Sequence, residues 1–144
     1  MAYVTAQARQ QLLDTLAGAT DDIGVALGAL GDAYEQLEET LFGPVQAAYG
    51  RAQRTHAGFA DRHGLPRRAF ASPAPGAPSR GVKGFVDQAV GAVLKADGTL
   101  AELQDSMLPV EVGDAELRAG IAGVRRQLGD VAPHARQFVS RLGR

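Results

Sequence analysis

The sequence predicts an all-α protein: an elongated antiparallel helical bundle of four helical segments, the last two an antiparallel hairpin, with a Pro-rich loop in the middle. Three observations predict it. Apolar residues recur at alternating steps of three and four along three long stretches, the mark of helices with one buried seam. Four of the seven prolines fall between residues 66 and 79, so the helical pattern is punctuated in one place above all. At 144 residues and 45% hydrophobic content, the chain is long enough for one cored domain, residues 1–144, and short for two.

The first seam runs through Leu13, Leu16, Thr20, Ile23, Leu27, Leu30, Tyr34, Leu37 and Leu41, with Thr20 its one polar member. It predicts a helix over residues 3–42. Such a helix would be roughly 60 Å long, whereas a compact globule of this size has a radius of gyration of about 14 to 15 Å. Either the molecule is elongated or the helix breaks, and Gly18 to Asp22, where Thr20 and Asp21 can start a new helix, is the alternative break. At Gly43-Pro44 a corner is expected, because Pro44 inside a helix loses a hydrogen bond and presses on the carbonyl of Thr40. Val45, Ala48, Ala52, Thr55 and Phe59 then restore the rhythm and predict a second helix over 44–62.

His63-Gly64-Leu65-Pro66 ends that helix, and Ser72-Pro73-Ala74-Pro75-Gly76-Ala77-Pro78 cannot continue one, since prolines lack donors and favour extended geometry. Residues 64–79 are therefore expected to be a flexible internal loop. Ser79 is a plausible cap for a third helix, whose seam is Val82, Val86, Ala89, Val93, Ala96, Leu100, Leu103 and Met107. Gly98 weakens it, and Thr99 with Glu102 offers a capping box at which a separate helix would start. A short connection over 109–113 leads to a fourth helix, begun by Gly113 or Asp114 and carrying Leu117, Ile121, Val124, Leu128, Val131, Ala135, Phe138 and Leu142.

A formal net charge of -1 hides strong segregation. Residues 1–50 carry -6, 51–83 carry +6, 84–116 carry -6 and 117–144 carry +5. An acidic helix is thus expected to face a basic one within the terminal hairpin, where flanking charges set direction and register. The same charges suggest contacts between copies, with Asp32, Glu35, Glu38 and Glu39 meeting Arg118, Arg125 and Arg126. A forty-residue seam paired against shorter partners would leave apolar surface uncovered, so a homo-oligomer is expected.

The near-neutral balance argues against general affinity for nucleic acid, and no recognition-helix or aromatic-platform pattern accompanies the basic stretch from Arg51 to Lys83. The longest apolar run, Ile23 to Gly31, is less than half of the roughly 20 residues a transmembrane helix needs. Polar residues interrupt the first fourteen positions, where a secretory signal would place its apolar segment, so a cytoplasmic protein is expected. The absence of Cys removes disulfides, thiolate metal sites and thiol catalysis.

His56 and His63 are expected at surface or boundary positions without metal, because no Glu stands three residues before a His and a zinc site wants three or four ligands at short spacing; His134 follows Pro133 and has no evident partner. No serine lies in a nucleophile-elbow context, and Gly81-Val82-Lys83-Gly84 lacks the Gly-Lys-Ser/Thr ending of a phosphate loop. No cofactor is expected. Gly24-x-x-x-Gly28, flanked by Asp21, Asp22 and Asp32, implies tight packing of soluble helices.

Tyr34-Glu35-Gln36-Leu37-Glu38 resembles the Tyr-x-x-x-Asp/Glu signal of type VII secretion substrates, and the size and helical hairpins are similar to that class. The Trp-x-Gly turn of those substrates is missing, and core packing accounts for Tyr34 in its seam position. The Ala-rich, Cys-free and Trp-free helical composition is similar to that of phasins, the coats of polyester granules. Together these features point to a non-enzymatic structural or adaptor subunit working through protein-protein interaction. The alternative is an amphipathic coat or carrier binding an apolar granule or lipid surface through opened helices.

If the loop is mobile, limited trypsin digestion cuts first after Arg67, Arg68 or Arg80 and leaves two helical fragments that stay associated. First cleavage within residues 82–107 would refute the hairpin assignment.

Overall fold

The computed structural model describes residues 5–32, 39–70 and 81–142, apart from the side chains of Asp32, Glu39, Thr40 and Leu142. The described residues form helices α1 (Ala6–Asp32), α2 (Glu39–Arg62), α3 (Gly81–Asp105), α4 (Leu108–Val112), α5 (Ala115–Gly129) and α6 (Val131–Leu142), with no strand among them. The fold is an all-α bundle.

Neighbour relations fix the direction of each helix. Tyr49 lies on Gly24, its ring 3.1 Å from where a Cβ would stand, so α2 runs back along α1, and the expected tight approach at Gly24 is present. Arg62 at the end of α2 pairs with Asp114 and Glu116 at the start of α5, while Thr55 and Arg51 lie over Gly120 and Gly123; α5 is therefore antiparallel to α2. Because α4 joins α3 to α5 over a few residues, α3 ends where α2 ends. The order is up, down, down, up, with α2 and α3 parallel and the long connection of residues 63–80 between them, as in four-helix bundles with one crossover. Around the bundle α1 packs most extensively on α3 and on α2, and α5 on α2. The terminal hairpin is antiparallel as expected, but its two arms make the lesser contact.

The helix boundaries differ from the sequence expectation in four places, each with a physical reason. The first helix ends at Asp32, α1 being 27 residues, and it passes through Gly18 to Asp22 unbroken. Buried Thr20 fits there because its hydroxyl donates to the Leu16 carbonyl at 2.8 Å. Pro44 is no corner, because it lies inside α2, which begins at Glu39; there its missing donor costs one hydrogen bond. Tyr34, Glu35, Leu37, Glu38 and the loop residues 71–79 lie outside the described residues. Gly98 leaves α3 continuous, and Thr99 caps nothing, its hydroxyl donating to the Lys95 carbonyl instead.

The remaining two differences sit in the second half. The 109–113 connection is the short helix α4, entered through Met107 with φ 65° and left through Gly113 with φ 74°. Met107, expected in the seam, is 52% exposed, because the left-handed turn it makes carries it out of register. The fourth helix divides into α5 and α6 at Asp130, three residues before Pro133, which has no N–H to continue the ladder. The two pieces, 15 and 12 residues, together match the 27, 24 and 25 of α1, α2 and α3. Four columns of similar length thus make up the bundle.

One apolar cluster joins all the long helices. It includes Leu12, Leu16, Ile23 and Leu30 of α1, Val45 and Phe59 of α2, Val86, Val93 and Leu100 of α3, Ile121 and Leu128 of α5, and Val131 of α6. Every described seam residue of α5 and α6 is buried. Leu128→Asp should therefore place an unpaired charge in the core and cost several kcal/mol. A circular-dichroism melt unchanged from the parent would show that this face is wrongly placed.

Candidate functional site

The most organised polar cluster lies at the end of the bundle where α2 stops and α5 begins. Gly64, with φ 65°, closes α2: the Leu65 amide donates to the Ala60 carbonyl at 2.8 Å and the Gly64 amide to the Asp61 carbonyl at 3.4 Å. Only glycine takes this left-handed position at low cost, and the turn holds His63 and Arg62 toward α5. Asp114 caps α5, its Oδ1 accepting from the Leu117 amide at 2.9 Å. Arg62 donates to the same carboxylate from Nε and Nη2, both at 2.9 Å, and from Nη1 to Glu116 at 2.7 Å. His63 Nε2 lies 2.9 Å from Asp114 Oδ2, with its ring against Phe59.

The Asp114 side chain is 4% exposed. Burial pushes its carboxyl up, but the hydrogen bonds from Arg62, the Leu117 amide and His63, with the charge of Arg62, together hold it below the ordinary carboxylate value. The cluster clamps together two chain segments fifty residues apart.

The histidines do not converge. His56, expected near the surface, is 2% exposed and meets Phe70 edge to face at 5.1 Å between ring centres. Burial, reinforced by the charge of Arg68, holds it below the ordinary imidazole value, against the opposing pull of Asp14 and Asp21. His134 is half-buried on α6. Among the described residues no three His, Asp or Glu side chains are grouped to hold a metal ion, and no helix is long and apolar enough to cross a membrane.

An apolar groove of about 450 Å³ runs between α3 and α6, floored by Val86, Val90, Ala132, Ala135 and Val139. Leu94, 57% exposed, stands at its end. Asp87 on the α3 wall and Arg136 on the α6 wall give it one charge of each sign. The seam spacing does not mark this groove, because Val90, Leu94, Ala132 and Val139 lie outside the seams.

Of the residues expected to join copies, Arg118 and Arg126 are exposed on α5. Arg125 is engaged within the chain, donating from Nε to Asp97 at 2.9 Å and from Nη1 to Gln104 at 2.7 Å. Glu35 and Glu38 lie outside the described residues, as do the side chains of Asp32 and Glu39, which end α1 and begin α2. Comparison with models of protein families, with curated proteins and with solved structures finds no match.

Asn caps helices as well as Asp does, so Asp114→Asn removes the charge while keeping the cap. It should cost about 1 to 3 kcal/mol at pH 7. The native carboxyl is held below its ordinary value of 3.8. Its contribution is therefore complete above that pH and lost as pH falls through the lower folded value. Chemical denaturation of both proteins should give stabilities that differ at pH 7 and converge toward pH 2. A constant difference across that range would remove the clamp's role.

Proposed function

We propose that this protein is a non-enzymatic adaptor or structural subunit, acting in the cytoplasm through protein-protein interaction at the α3–α6 groove. The groove carries the reading. Its walls span residues 86–94 and 132–140, each about two helical turns or roughly 12 Å. That is the footprint of an amphipathic helix presenting apolar anchors at i, i+4 and i+7. Charge favours one orientation, with an acidic residue of the partner beside Arg136, because Asp87 already pairs with Lys83 at 3.8 Å. A helix of a partner protein is the occupant proposed, with Leu94 as the side chain it would cover.

A photo-crosslinking amino acid in place of Leu94 tests this in the native host. The expected product is a discrete adduct with a different protein, mapped to a helix with an apolar face, and abolished when Ala135→Asp is added. A circular-dichroism melt of the Ala135→Asp variant must remain cooperative for that loss to count. Adducts only with a second copy would make the groove a homo-oligomer interface. Co-sedimentation with lipid vesicles or polyester granules, in place of protein adducts, would favour the coat reading.

A further inference from the structure

On the other flank of the α5–α6 column, the groove between α2 and α5 gathers three guanidinium groups. It has a volume of about 390 Å³ and is lined by Arg51, Arg54, Thr55 and Arg62 of α2 and by Glu116, Ala119 and Gly120 of α5. Each arginine lies over a glycine. A Cβ on Gly123 would stand 2.7 Å from Arg51 Nη1, one on Gly58 2.8 Å from Arg62 Nη1, and one on Gly50 3.2 Å from Arg54 Nη1. Missing side chains at these three positions let the guanidiniums lie close against the helix backbones.

Their charges are not equally compensated. Arg62 is engaged by Asp114 and Glu116. Arg51 and Arg54 have no carboxylate within ion-pair distance and no hydrogen-bonded guanidinium partner among the described residues. Arg51 is half-buried, and its Nε is shielded from solvent without an acceptor among them. A partly desolvated cation left unpaired is costly, so this groove is built to receive negative charge.

We propose that the α2–α5 groove binds a small phosphate ester through Arg51 and Arg54. Two guanidinium forks, three residues apart on one helix, match an oxyanion with several oxygens and more than one charge; a carboxylate satisfies one fork. Small residues on the opposite wall, Ala119 and Gly120, leave room for the group to seat. Glu116 at the rim and the chain's net charge of -1 oppose a long polyanion, and the groove's volume fits a small molecule. The site does not depend on the α3–α6 groove.

The test is an NMR titration of the full chain with inorganic pyrophosphate at constant ionic strength. Saturable shifts are expected at the amides of residues 51–55 and 119–123. Arg54→Gln, at an exposed position, should weaken binding about tenfold or more, as loss of a charge-assisted bidentate contact does. Ala119→Glu should abolish binding while leaving the melt cooperative, because it sets a carboxylate in the groove. Arg118→Gln and Arg126→Gln, outside the lining, should change the affinity little. Absence of saturable shifts overturns the proposal. So does equal weakening by all four substitutions, which would mean diffuse attraction to a basic surface.

Discussion

The bundle depends on α1 having two partners at once. Its buried residues form two adjacent seams that share a row: Leu13, Thr20 and Leu27 lie on one side of Leu16, Ile23 and Leu30, and Leu12, Ala19 and Ala26 on the other. A strip this wide exceeds what a single neighbour covers in a two-helix contact, where only a and d positions are buried. Two helices must lie against it, and α2 and α3 do, both antiparallel to it. Once α2 and α3 run the same way, the chain needs a crossover between them, and α5 with α6 is left to close the side that remains.

That constraint decides a competition between two energies. Charge segregation along the chain favours an acidic third helix beside a basic last one, and the ion pair of Arg125 with Asp97 shows that the attraction is present. Yet α3 packs chiefly on α1, acidic segment beside acidic segment, and α5 on α2, basic beside basic. The magnitudes explain the outcome. A fully buried Leu or Ile contributes about 1.5 to 3 kcal/mol, whereas a surface ion pair contributes about 0.2 to 1. Apolar complementarity sets the neighbours, and charges act at the edges, where Arg68 reaches Asp21, Lys95 reaches Asp22 and Arg125 reaches Asp97.

What was legible in the sequence follows the same division. Heptad spacing located Leu16, Ile23, Val93, Leu100, Ile121 and Leu128 in the core because side-chain direction on a helix is a local property. The second seam of α1 was hidden by composition: Ala19 and Ala26 are small and read as filler, although their size lets the neighbours approach. Spacing continued through Pro133 and through Met107, yet phase alone cannot register a lost donor or a left-handed turn. The caps were half legible. Asp114 announces a helix start, but Arg62 and His63, some fifty residues earlier, become its partners only through the crossover. Arg51 and Arg54 read as part of a solvated basic stretch until Gly123 of another helix lies beneath one of them.

The break at Asp130 divides the fourth column between two sets of neighbours. A fourth column running straight from Ala115 to Leu142 would present one continuous face to α2 and α3. Divided by Asp130 and Pro133, it assigns its first half mainly to α2 and its second half to α3 and α2. The first half, with Gly120 and Gly123, brings helix backbones close and draws arginines over them. The second half, with Ala132 and Ala135, leaves an apolar trough against Val86 and Val90. The core is common to both halves, so each groove is held by residues buried for reasons of stability. The selectivity proposed for each groove therefore rests on a few side chains that line it: Arg51 and Arg54 on one flank, Asp87, Leu94 and Arg136 on the other.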